Sequence, residues 1–216
     1  MYVVGRLVVI EGLDGAGKRT LSDGLTEALR AEGTSVADIA FPRYGVSVHA
    51  DLVQDALHGR VGDLGDSVHG MALLFALDRL AARDHLARLL AANDVVLADR
   101  YVASNAAYGA ARLHQDAAGE FVAWLKHLEI DRFALPVPHL QLLLRVPVAV
   151  AADRAAHRER TETDRARDSF ESDGGLQARC AAVYDQLAAI GWLAQWQVVD
   201  GTMALDPAVL AKTLLR

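Results

Sequence analysis

The chain has 216 residues, a net charge of −6, a pI near 5.7 and a mean hydropathy of +0.16, which suits one α/β domain, 1–216, around a single core. The acidic balance argues against a surface built for nucleic-acid backbones, which needs clustered uncompensated cations, and the single cysteine, Cys180, allows no internal disulfide. No apolar run is long enough to span a membrane and the first residues lack the succession of a secretory leader, so a cytoplasmic protein is expected, without linker or internal repeat.

The first apolar run, Leu7-Val8-Val9-Ile10, is short and β-branched, as in a strand buried on both faces. Gly12-Leu13-Asp14-Gly15-Ala16-Gly17-Lys18-Arg19-Thr20 follows it, and Leu21, Leu25, Ala28 and Leu29 then recur at helical spacing up to Gly33, a suitable end for a helix. The glycines let the backbone close around an anion, N–H groups at the helix start face it, and Lys18 adds positive charge. This is the chemistry of a phosphate-binding loop for a nucleoside triphosphate. The pattern departs from G-x-x-x-x-G-K-[ST] only at Arg19, where a hydroxyl residue usually ligates magnesium. Either Thr20 takes that part or carboxylates elsewhere hold the metal.

Further strands are expected at Val36 to Ala40, Asp94 to Ala98, Leu140 to Val146 and Gln197 to Val199, with Ala- and Leu-rich helical stretches between them. The alternation predicts a parallel sheet covered by helices, with functional residues just after the strands. Phe41-Pro42-Arg43-Tyr44 follows the second strand and Asp99-Arg100-Tyr101 the third. Between them, Gly59 to Gly65 reads as a loop, and Ser67 to Leu90 as a helix whose Met71, Leu74, Phe75, Leu86 and Leu89 form a broad apolar surface. From Arg154 to Arg167, Arg154, Arg158, Arg160, Arg165 and Arg167 are interspersed with acids without an apolar stripe. That segment reads as a mobile lid, about 154–168, against the plainer alternative of a solvated charged helix.

Taken together, the Gly-x-Asp-Gly-Ala-Gly-Lys loop, Phe41-Pro42-Arg43-Tyr44, Leu77-Asp78-Arg79, the run Asp99 to Tyr108 and an Arg-rich segment before Asp168-Ser169-Phe170-Glu171 resemble thymidylate kinases. The order and spacing agree over most of the chain, and the loop ending Gly-Lys-Arg-Thr is similar to that of the actinobacterial branch. The resemblance implies a P-loop nucleoside monophosphate kinase-like α/β fold with a parallel five-stranded sheet flanked by helices and an Arg-rich lid. It also implies transfer of the γ-phosphoryl group of ATP to dTMP, giving dTDP and ADP for dTTP synthesis, with Mg2+ as cofactor and a homodimer formed through helices near residues 67–90.

On that resemblance Gly12, Gly15, Ala16, Gly17, Lys18, Arg19 and Thr20 bind ATP, with Arg154 and Arg158 of the lid. Those two arginines are four apart, so on a helix they share a face and both reach the transferring group. Lys18, Arg100, Arg158 and Asp14 form the catalytic set. Arg100 holds the acceptor phosphate through its planar fork, unless it is only a structural salt bridge. Asp14 needs a positive partner in an anion-binding loop, and the family places it near magnesium. Asp168 and Glu171 could approach the same ion, or serve as plain helix-start charge. The acceptor nucleotide would meet Asp14, Phe41, Tyr44, Arg79, Arg100, Ser104, Asn105, Tyr108 and Asp168. Phe41 stacks on the pyrimidine, Arg79 donates to thymine O4, and Asn105 donates or accepts at the base edge. Tyr108, on the helical face of Ser104, crowds the sugar 2′ position; core packing is the plainer fate of both aromatics.

Two other classes fit less of the chain. A kinase for another nucleoside or nucleotide would share Lys18 and a lid but need not carry Phe41, Arg79, Asn105 and Tyr108 together. A GTP-dependent switch would normally use an Asn-Lys-x-Asp base-reading motif, and the chain has no Asn-Lys pair.

Overall fold

The computed structural model describes residues 5–161, 174–203 and 205–215, without the side chains of 158–161. Its strands are β1 (Arg6–Glu11), β2 (Val36–Ala40), β3 (Val95–Asp99), β4 (Leu140–Arg145) and β5 (Gln195–Asp200). They form one parallel five-stranded sheet in the order β2-β3-β1-β4-β5. The chain thus winds first to one side of β1 and then to the other, and a crevice opens at the carboxyl ends where the winding reverses. Register places Ile10 opposite Asp99 and Glu11 opposite Leu143, so the ends of β1 and β3 deliver their charged residues to the same edge.

The helices are α1 (Lys18–Ala31), α2 (Val48–Leu57), α3 (Val68–Ala92), α4 (Val102–Arg112), α5 (Glu120–Lys126), α6 (Val148–Thr161), α7 (Gly174–Ala189) and α8 (Pro207–Leu214). A wide π-type turn, His127–Arg132, continues α5. Leu7, Val9, Ile10, Val96, Leu97, Ala98 and Leu142 are wholly shut off from water, and each of these apart from Ala98 contributes about 1.5–3 kcal/mol of burial. Leu25 and Leu29 of α1 and Cys180 and Leu187 of α7 complete that core. A smaller cluster of Val53, Ala56, Leu57 and Met71 joins α2 to α3.

Element boundaries differ from the sequence expectation where a side chain decides them. Asp94 was expected to begin β3. Instead its carboxylate accepts from the backbone N–H and hydroxyl of Ser35, pinning the turn before β2, and β3 starts one residue later. Ser67 caps α3 by accepting from Gly70 N at 3.0 Å, and the helix runs two residues past Leu90. The expected loop 59–65 leads into a single 3-10 turn, Leu64–Asp66. Among the described residues no helix is long and apolar enough to cross a membrane.

Candidate functional site

The loop after β1 is shaped by its glycines. Gly12 has φ +145°, and a Cβ there would lie 2.7 Å from the Leu144 carbonyl oxygen, so only glycine fits against β4. Gly17 turns the chain into α1 in a left-handed conformation, with no side-chain cap and no acidic residue in the first turn. The N–H groups of that turn therefore face the loop without a competing carboxylate. Lys18 is buried and folds back over the loop, donating from Nζ to the carbonyls of Gly12 at 3.3 Å and Leu13 at 2.9 Å. Burial and the Arg100 charge pull its pKa down to about 8, against the opposing charges of Asp14, Asp99 and Glu11. Arg19 and Thr20 are exposed.

Asp14 finds the positive partner that its place in the loop demands. Arg100 Nη2 donates to Asp14 Oδ1, and Tyr108 Oη donates to Oδ2 at 2.6 Å. Burial raises the carboxyl pKa, but Arg100, Lys18 and the Tyr108 hydrogen bond outweigh it and hold the group at about 2. Arg100 also donates from Nη1 to Ser104 Oγ at 3.0 Å, and its guanidinium carbon lies 5.4 Å from the centre of the Tyr108 ring. Its backbone sits at φ +65°, a left-handed conformation that a non-glycine residue adopts at a cost. That cost is met at the junction of β3 and α4, where it aims a cation across the sheet edge at the loop.

The start of α4 is held by a residue that no motif had singled out. Glu11, the last residue of β1, is fully buried and accepts from the backbone N–H groups of Tyr101 at 3.0 Å and Ser104 at 3.2 Å. It also accepts from the hydroxyls of Ser104 at 2.5 Å and Tyr184 at 3.2 Å. Burial raises its pKa despite these donors and the Arg100 charge. Its one sequence signal was position: a carboxylate that extends a buried strand into the phosphate loop.

A second cluster lies between α3, α4 and the π-type turn. Arg79 is buried and meets Glu129 through two parallel hydrogen bonds, Nε to Oε2 at 2.5 Å and Nη2 to Oε1 at 2.7 Å. Asn105 Nδ2 donates to Glu129 Oε1 at 3.0 Å and to the Ala72 carbonyl at 2.9 Å. Glu129 also went unread in the sequence, because its partners are 24 and 50 residues away and no local pattern marks it. Nearby, Asp78 fastens the segment after β2, accepting from Arg43 N at 2.9 Å and Arg43 Nε at 2.8 Å. Phe41 is buried there, its ring 5.8 Å from that of Tyr101, whereas Tyr44 is exposed.

The structure thus brings Asp14, Lys18, Arg100, Ser104 and Tyr108 together at one point and Arg79 and Asn105 at another. Arg154, on α6, donates to the carbonyls of Ala16 at 3.1 Å and Gly201 at 3.3 Å, which sets it against the phosphate loop. Arg158 follows one turn later on α6, with its side chain outside the described residues; Asp168 and Glu171, together with the rest of the expected lid, lie outside them altogether.

The chain is similar to known proteins over most of its length. The family described as thymidylate kinase matches residues 10–201. A thymidylate kinase of Mycobacterium tuberculosis strain H37Rv is 53% identical over 208 residues, covering 96% of each chain. One from Xanthomonas oryzae pv. oryzae is 36% identical over 94% of this chain and 78% of its own. Human thymidylate kinase is 30% identical over 94% of this chain and 85% of its own.

Proposed function

The chain belongs to the thymidylate kinase family, and from that premise we propose how its residues phosphorylate dTMP. In the reaction a 5′-phosphate oxygen of dTMP bonds to the γ-phosphorus of ATP while the bond from that phosphorus to the β–γ bridging oxygen breaks. The products are dTDP and ADP. Such a transfer asks a protein for alignment and charge neutralisation more than for covalent chemistry.

Lys18 leaves its loop carbonyls for the β- and γ-phosphates, and the backbone N–H groups from Gly12 through Gly15, Ala16 and Gly17 to Arg19 and Thr20 line the donor. Arg100, steadied by Ser104, takes the acceptor phosphate. Asp14 keeps Arg100 and Tyr108 in place until that phosphate arrives. Arg154, already against the loop at Ala16, and Arg158 one turn beyond supply positive charge to the group in transit. Phe41 stacks on the base, Arg79 and Asn105 read its edge, and Tyr108 closes the sugar 2′ side, with Tyr44 and Asp168 completing the acceptor site. Residues 1–216 act as one kinase domain, with about 154–168 as its lid.

The carboxylates near the loop suit a hard cation. Asp99 Oδ1, at the end of β3, is buried with no hydrogen-bond partner among the described residues, and its charge is felt by Lys18 and Arg100. Mg2+ fits oxygen donors of this kind alongside phosphate oxygens. Asp14 and Asp99 would hold it, with Asp168 and Glu171 the remaining candidates. When bound, the ion neutralises phosphate charge.

We further read the enzyme as a homodimer that feeds dTTP synthesis. Its substrates are charged nucleotides that do not cross membranes unaided, which puts it in the cytoplasm.

The observation that carries this reading is Arg100, held in left-handed backbone and paired with Asp14 of the donor loop. It sets an acceptor-phosphate cation directly against the donor site. The test is ADP formation from ATP and magnesium with dTMP, dUMP, dCMP, dGMP or thymidine offered separately. Preferred turnover of dTMP is expected. Preference for another acceptor overturns the base-pocket assignment, and absence of turnover with all five overturns the activity.

A further inference from the structure

Glu129 belongs to no motif, yet it is wholly buried beside both residues that read the base. Its carboxylate takes Nε and Nη2 of Arg79 and Nδ2 of Asn105. The same Nδ2 donates to the Ala72 carbonyl. A carboxamide nitrogen carries two protons, and here both are committed to protein acceptors. Turning the amide over would set Oδ1 against a carbonyl oxygen and a carboxylate, losing two buried hydrogen bonds and creating two repulsions. Asn105 is therefore locked, and Oδ1, to which no hydrogen bond is made among the described residues, is what it offers a ligand. Arg79 is fixed in the same way. Its fork is engaged through Nε and Nη2, leaving Nη1 as the nitrogen without a protein partner among the described residues.

We propose that Glu129 is a positioning residue that sets the hydrogen-bond polarity of the base pocket, making Asn105 an obligate acceptor and Arg79 an oriented cationic donor. That pair complements the N3–H donor and O4 acceptor of a thymine. It opposes the N3 acceptor and 4-amino donor of a cytosine, a double mismatch of buried polar groups. The inference rests on the dTMP reading above and deepens it, since the choice between acceptor bases is assigned to a side chain that need not touch the nucleotide. A merely structural ion pair would support stability and leave that choice alone.

The test is the isosteric Glu129→Gln variant, with kcat and KM measured separately for dTMP, dCMP and ATP. A glutamine brings a donor to one of the two places where only acceptors now stand, so turning the Asn105 amide then meets one repulsion, at the Ala72 carbonyl, instead of two. The KM for dTMP should rise and the dTMP-to-dCMP selectivity fall, each by roughly tenfold or more, as expected when a site built around a specific hydrogen bond loses it. The KM for ATP should stay within about twofold of its original value, because the donor loop is untouched. In a cycle with Asn105→Ala, the double variant should lose less selectivity than the product of the single losses. Unchanged selectivity in Glu129→Gln, strictly multiplicative losses, or an equal rise in both KM values overturns the role of Glu129. Original selectivity in Asn105→Ala overturns the base pocket beneath it, a separate result. Should Glu129→Gln fail to fold, NMR of the unaltered protein decides. Both Asn105 side-chain amide protons should be protected from solvent exchange before and after dTMP is added, and rapid exchange without nucleotide overturns the proposal.

Discussion

Asp14 shows how a carboxylate can be accommodated in an anion-binding loop. Alone it would repel phosphate; bonded to Arg100 and Tyr108 it becomes the counter-charge of a half-buried arginine. Its pKa is held at about 2, below the ordinary 3.8, so the folded state favours the carboxylate. A depressed acid stabilises the fold above its unfolded pKa and loses that contribution as pH falls through the folded value. The shift corresponds to about 2 kcal/mol at neutral pH. Asp14→Asn should therefore unfold at lower urea than the unaltered protein at pH 6, and the gap should close as pH falls from 3.8 towards about 2. A gap that stays constant over that window would show that the pair with Arg100 contributes through packing and not through charge. The charged partners of this site were named in the sequence, since loop and strand-end motifs announce them. Their pairing was not, because Asp14 and Arg100 are 86 residues apart and only the sheet brings them together.

At the scale of elements, the strand runs were legible because a parallel strand covered on both faces has to be continuously apolar, as Leu7 to Ile10 and Leu142 to Leu144 are. β5 was read too short, as Gln197 to Val199, because its outer residues Gln195, Trp196 and Asp200 are polar or only partly buried at a sheet edge. What held elements to one another was least visible. Glu11 ties the end of β1 to the first turn of α4 and to Tyr184 of α7, over sequence separations of 90, 93 and 173 residues, so no window of sequence contains the contact. This carboxylate is the part of the frame on which Arg100 and Ser104 hang. Replacing it with alanine would leave two backbone N–H groups and one hydroxyl short of an acceptor in a dry interior, since the Ser104 and Tyr184 hydroxyls can still bond to each other at 2.8 Å. Each unsatisfied group costs about 1–3 kcal/mol. Glu11→Ala should lose roughly 3 kcal/mol or more in urea denaturation, and in the folded fraction its KM for dTMP should rise more than its KM for ATP. A urea midpoint equal to that of the unaltered chain would remove Glu11 from the frame.

At the scale of the whole molecule, some of the exposed apolar residues fall on two neighbouring elements, α2 and α3. Val48 and Leu52 are four apart on α2 and so share a face, at 65% and 37% exposed, and Val46 just before them is 77% exposed. Leu73, on the adjoining α3, is 40% exposed, while Met71 beside it is buried against α2. Exposed apolar groups scattered singly need no explanation, but exposed apolar residues on two packed helices are what a second subunit could cover. A stable dimer needs about 800 Å² from each partner, which two helix faces can supply. The homodimer reading therefore has a definite test in the double variant Leu52→Glu/Leu73→Glu. In sedimentation velocity the unaltered protein should run at twice its chain mass of 23.2 kDa, and the variant at the chain mass, since each glutamate would be desolvated without a partner. The same experiment reaches back to the site, because α3 carries both Asp78, which fastens the Phe41 segment, and Arg79, proposed above to read the base. If subunit contact stiffens α3, the monomeric variant should bind dTMP more weakly while ATP affinity is kept. A monomeric variant with the original KM for dTMP would show that the Arg79–Glu129 pair and the Arg43–Asp78 contacts hold α3 in place without a neighbour, and an unaltered protein that sediments at the chain mass would end the dimer reading outright.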